Sequence, residues 1–170
     1  MAAVYRVDVF HGAGPSSGAW PAGGLLHRAD TDPTTAGAAT PVPVPAAGSN
    51  WSWRKSFKLN VTTTPAGAVS NLRWFSDAVS VGTGLIVLAK NTAAYTQATS
   101  ADESAALGAS VDATTLTSAS PMTVNAGTVL SNPSTGFGTQ NYVEMQLQVG
   151  TTAGPGLTAL RTYSYRVDET

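Results

Sequence analysis

The residues able to do chemistry in this chain are few, and their spacing assembles no familiar site. There are two histidines, ten carboxylates and no cysteine among 170 residues. A zinc centre needs three or four Cys, His or carboxylate ligands, and the histidines sit far apart, His11 after an alternating run and His27 in a Gly/Pro-rich stretch. A cluster of His11, His27, Asp30 and Asp32 is conceivable in space, but we expect two loop histidines exposed to solvent. Asp30-Thr31-Asp32 starts like a calcium loop, yet the glycine and distal glutamate at the required offsets are missing. Serine is abundant, but no Gly-x-Ser-x-Gly elbow presents one as a nucleophile. The adjacent pairs Asp102-Glu103 and Asp168-Glu169 do not suit a glycosidase, which sets two carboxylates across a cleft. No glycine-rich stretch continues into Gly-Lys-Ser/Thr. The expectation is a protein that is not an enzyme and carries no cofactor and no metal.

Composition narrows the partners. Charged residues make up 11% of the chain and the formal net charge is −1, against a usual share of about 25%. Such a chain has no basic patch to release counterions from a phosphate backbone, so nucleic acid is not an expected partner. The longest apolar run, Leu85 to Ala89, is strand-sized, well short of the roughly 20 residues that cross a bilayer, and no membrane association is expected. A surface of Ala, Gly, Ser and Thr suits close approach to other protein copies. The opening Met-Ala-Ala-Val-Tyr-Arg lacks the basic region and apolar run of a secretory signal.

These residues must be positioned by strands. Val4 to Phe10 alternates, with Tyr5, Val7 and Val9 as its apolar face. Trp51 to Thr62 alternates more strongly: Trp51, Trp53, Phe57, Leu59 and Val61 share one face, with Lys55 breaking the pattern. Asn71 to Ser76 places Leu72 and Trp74 together, and Leu85 to Ala89 reads as a strand buried on both faces. Thr92 to Gly108 holds the one plausible helix, a short one at Asp102 to Leu107 with Ser100 and Glu103 as a capping box. Short weak strands follow in 111–130, then a glycine-rich loop over 131–140. Tyr142 to Val149 and Leu160 to Val167 both alternate, and the Gly154-Pro155-Gly156 turn between them predicts an antiparallel pair. The chain therefore reads as a single all-β domain over residues 1–170. It is an antiparallel β-sandwich, Ig-like or jelly-roll-like, with at most one short helix. Residues 11–49 form a long Gly/Pro-rich arm or loop.

That arm is where partner contact is expected. Pro41-Val42-Pro43-Val44-Pro45 favours a stiff, extended backbone, and Trp20 is a lone large aromatic among small residues, the form of an anchor that docks in a pocket. Trp20, Pro41, Val42, Pro43, Val44 and Pro45 are the candidate partner-binding residues. A tryptophan on a loop also suits stacking on sugar, as in a carbohydrate-binding module or adhesin.

The leaderless start, the absence of Cys, the Ala/Gly/Thr-rich loops, the proline arm and the terminal run Tyr163-Ser164-Tyr165-Arg166-Val167-Asp168-Glu169-Thr170 together resemble tailed-bacteriophage virion proteins. The likeness is to small β-sandwich capsid decoration (cement) proteins or tail-associated sandwich proteins. The resemblance is one of style over the whole chain and carries no site residue. It implies a structural protein of the virion, assembled in the host cytoplasm, that binds copies of itself and the major capsid protein and stabilises the particle. Trimers would be favoured, with a tail or head–tail connector role as the alternative.

Overall fold

The computed structural model describes residues 2–21, 24, 26–31, 40–156 and 158–170. Among these described residues, ten strands form two antiparallel sheets: β1 (Val4–His11), β2 (Ser16–Ala19), β3 (Ser49–Trp51), β4 (Lys55–Thr63), β5 (Val69–Ser76), β6 (Leu85–Thr92), β7 (Val111–Asp112), β8 (Met122–Leu130), β9 (Tyr142–Gly150) and β10 (Tyr163–Glu169). The larger sheet runs β2-β1-β4-β9-β6-β7, with β3 beside the far end of β9; the smaller runs β10-β5-β8. The only helices among the described residues are 3-10 turns at Ser100–Ser104 and Ala113–Thr115. None is long and apolar enough to cross a membrane.

Alternation decides which side of each strand is buried. Val9, Phe57, Leu59, Val61, Val87, Ala89, Val143 and Met145 come from the larger sheet. They meet Val69, Leu72, Trp74, Val124 and Val129 from the smaller one in a single core. Each such buried side chain contributes on the order of 1.5–3 kcal/mol of transfer free energy.

Three expectations change. The Trp51 to Thr62 run is broken at residues 52–54. Trp51 pairs with Gln148 and Lys55 with Met145, so four steps on one strand oppose three on the other. One extra residue is a β-bulge, and it reverses which face the preceding side chains take. Trp51 therefore lies on the outer face with Gln148, while Lys55 and Phe57 face the core side. Tyr142–Gly150 and Tyr163–Glu169 do not pair. β9 has both edges occupied, by β3 and β4 on one side and β6 on the other, so the chain crosses to the second sheet and β10 joins β5. The Asp102 to Leu107 helix is absent. A 3-10 turn at Ser100–Ser104 stands in its place, its cap one residue earlier than expected at Thr99, whose amide donates to Asp102 at 3.1 Å, and Thr- and Ser-rich flanks do not extend it.

Leu85 to Ala89 is covered less than expected, since Ile86 is 37% exposed. The outer face of β9 is covered more. Residues 93–110 fold over it as a lid held by Gln146, whose amide nitrogen donates to the carbonyls of Ser52 (3.0 Å), Asp102 (2.9 Å) and Ala105 (3.3 Å). Its oxygen accepts from the Leu107 amide at 2.7 Å. Arg54 grips Asp102 through Nε at 2.8 Å, and Lys90 pairs with the buried Glu144 at 3.2 Å.

Candidate functional site

The 11–49 segment does not begin as an arm. Ser16–Ala19 pairs with β1, and the Trp20 amide extends that ladder to the Val7 carbonyl at 2.8 Å. The Trp20 indole meets the Phe57 ring edge-on with centroids 4.8 Å apart, so it is seated in its own chain. Residues 26–31 lie over the inner face of the larger sheet. There Lys55, buried on that face, donates from Nζ to the carbonyls of Ala29 and Thr31. Arg28 pairs with Glu103 at 3.1 Å and donates to the Trp51 carbonyl at 3.0 Å.

Among the described residues the smaller sheet has three strands and does not extend over the whole inner face of the larger sheet. A groove of about 620 Å³ opens there. Its floor is Val87, Met145, Leu147 and Val149. One wall is Trp20, Leu26 and His27 with Pro41 to Val44, and the other is residues 158–161 and Tyr163. The walls stand for identifiable reasons. Pro41 and Pro43 hold their segment extended, and the Asn50 side-chain amide ties it down at the Pro43 carbonyl, 2.8 Å away. On the far side, Arg161 donates to the Ser80 carbonyl at 2.8 Å and Tyr163 stacks on Trp74 at 5.4 Å.

Of the candidate residues, Trp20, Pro41, Val42, Pro43 and Val44 come together around this groove, while Pro45 does not line it. The rim is apolar and open, with Leu160 77% and Val44 42% exposed. Leu147, Val149, Leu160 and Tyr163 also belong to the groove, and sequence reading assigned none of them to a site. Their alternation marked a buried face, and nothing local marks where the covering sheet stops.

His27 corrects the expectation of an exposed loop histidine. It is 2% exposed, and neither ring nitrogen has a hydrogen-bond partner among the described residues. Burial, reinforced by the nearby Lys55 charge, pushes its pKa down to about 4, so the imidazole is neutral at pH 7. Burial and then the Asp77 charge push the Tyr163 phenol up to about 12. Among the described residues the groove walls thus carry one cation, Arg161, and otherwise neutral groups. His11 ends β1 half-buried, and Asp30 accepts from the Gly12 amide (3.0 Å) and from Gln97 (2.8 Å). Asp32 lies outside the described residues. No group of three or more His, Cys, Asp and Glu able to hold a metal occurs among the described residues.

A second cluster lies on the outer face. Phe10 meets Phe137 at 5.1 Å and Tyr142 at 5.2 Å, and Tyr95 closes over them from the lid at 6.5 Å from Phe10. Lys58 sits 4.2 Å above the Tyr142 ring. This is packing that fastens the lid and the glycine-rich loop to the sheet. Ser56 and Glu144 face each other across β4 and β9, and neither side chain has an aligned hydrogen bond among the described residues.

Among the described residues the groove offers an apolar floor and a nearly uncharged wall, surfaces suited to binding. No family model, curated protein or solved structure matches the chain.

Proposed function

We propose that this is a virion structural protein, a capsid decoration protein that stabilises the particle by binding capsid subunits and further copies of itself. The observation that carries the reading is the open apolar groove rimmed by Leu160, Val44 and the Pro41–Val44 segment on a chain of very low charge. An exposed apolar patch with a structured rim is a surface for protein contact. Many modest contacts of this kind, repeated over a shell, add up to strong retention. Sugar stacking is less well supported. A stacking platform needs a free indole face; Trp74 is buried against Tyr163 and Trp20 meets Phe57 edge-on, which leaves only the half-buried Trp51 and Trp53 for a sugar to reach.

The test is immunogold labelling of particles from the organism that carries the gene. Labelling over the whole capsid is expected. Labelling at one vertex or along a tail overturns the decoration role, and no labelling overturns the virion role. Replacing Pro41–Pro45 with Gly and Ser should lower capsid occupancy severalfold while leaving the fold intact. Removing residues 13–48 is a poorer test, because it also takes away β2, Trp20 and His27.

A further inference from the structure

The groove lies beside an unfinished sheet. β10 ends the smaller sheet, and no strand pairs its second edge among the described residues. Tyr163, the first residue of β10, and residues 158–161 leading into it form one wall of the groove, so the open backbone edge starts at the groove, above a floor where Leu147 is half-buried and Met145 and Val149 are buried. The edge is also regular. The irregularity between β10 and β5 lies on β5, where two steps from Arg166 to Asp168 oppose three from Arg73 to Ser70, and Asn71 takes a φ of 52°. β10 itself, Tyr-Ser-Tyr-Arg-Val-Asp-Glu, contains no proline or glycine; its charges, Arg166, Asp168 and Glu169, discourage pairing with an arbitrary strand and leave the edge open to one of matching charge.

We infer that the groove takes an extended segment of a partner protein, which adds to β10 as a fourth strand of the smaller sheet. The inference rests on reading the groove as an assembly site and specifies what the partner presents. Backbone donors and acceptors along β10 would supply affinity, and alternate side chains would supply selectivity. Tyr163, Tyr165 and Val167 turn toward the core, where each packs against it, and Ser164, Arg166 and Asp168 turn away. An added strand shares this alternation, so every second residue is apolar and faces the groove floor at the half-buried Leu147. Its outward face is set by charge. Arg166 stands directly opposite Arg73 on β5. Arg166 donates to the Ser118 carbonyl at 3.1 Å and Arg73 to the Thr123 hydroxyl at 2.9 Å, and neither meets a carboxylate among the described residues. Like charges facing across a ladder disfavour each other. A carboxylate on the incoming strand opposite Arg166 answers that pair, so the segment is an alternating apolar–polar stretch bearing an outward Asp or Glu.

The experiment is selection of nonapeptides from a random displayed library on the full chain. The expected winners alternate apolar and polar residues and carry one acidic residue on the polar side. Amide exchange should slow in 163–169 when they bind. Selection on Arg166→Glu should replace that acid by Lys or Arg. Leu160→Ser, at an exposed rim, and Leu147→Asn, on the floor, should each weaken the winning peptide at least tenfold while keeping the circular dichroism of the parent. Winners without alternation, an unchanged charge preference with Arg166→Glu, protection elsewhere than β10, or no selected peptide would each overturn the inference. Peptide binding together with unlabelled particles would leave the strand site standing and remove the virion reading; labelled particles without peptide binding would do the reverse.

Discussion

His27 is a base folded into a place that disfavours its proton. Its folded pKa of about 4 lies below the ordinary 6.5, so between those values the unfolded chain binds more protons than the folded one. Stability from this group is therefore complete above about pH 6.5 and is lost as pH falls toward 4, with an upper bound of about 3 kcal/mol. Denaturant melts at stepped pH should show that slope, and His27→Leu should flatten it. Gln146 is the second residue whose neighbours define its worth. Gln146→Leu deprives three carbonyls and the Leu107 amide of their partner and should cost about 2–4 kcal/mol, with faster proteolysis within residues 93–110. Neither role was legible beforehand. His27 sits among Gly, Leu and Arg with no periodicity, and Gln146 occupies a polar position in an alternating strand, which reads as solvent-facing unless a distant segment covers it.

Elements were legible where alternation is long. Tyr5, Val7 and Val9 on β1, Leu72 and Trp74 on β5, and Val143, Met145 and Val149 on β9 all turn inward, as their spacing requires. The failures have two causes, neither of which leaves a local mark. A bulge adds one residue without a composition mark, so Trp51 changes face unannounced. Sheet membership is likewise set by which edges are already filled, so the Gly-Pro-Gly connection carries a crossover, not a hairpin. Glycine placement offers a test at this scale. Gly138 has a φ of 61°, and a Cβ there would strike the Val129 carbonyl; Gly12 has a φ of 83° with open space around it. Gly138→Ala should cost about 2–4 kcal/mol and Gly12→Ala only about 1 kcal/mol, read from chemical-denaturation midpoints.

At the scale of the molecule, nearly all pairing is between segments remote in sequence. β1 pairs with β4, β4 and β6 with β9, and β5 with β10. Loop closure must precede such contacts, so refolding should take milliseconds to seconds, checked by stopped-flow tryptophan fluorescence. The all-β class and the presence of two sheets followed from strand count and turn spacing. The incomplete cover of one sheet by the other did not, because it depends on where strands of different length and direction come to lie.

Trp20 is the only tryptophan among the described residues that lines the groove, and the Tyr163 ring on the opposite wall is stacked on Trp74. Whatever enters between those walls changes the surroundings of one indole directly and of another through its stacked neighbour. The molecule therefore carries its own optical reporter. Occupancy should appear as a shift in intrinsic emission without any label, and the signal of Trp20→Phe against that of the parent would show which wall was touched first.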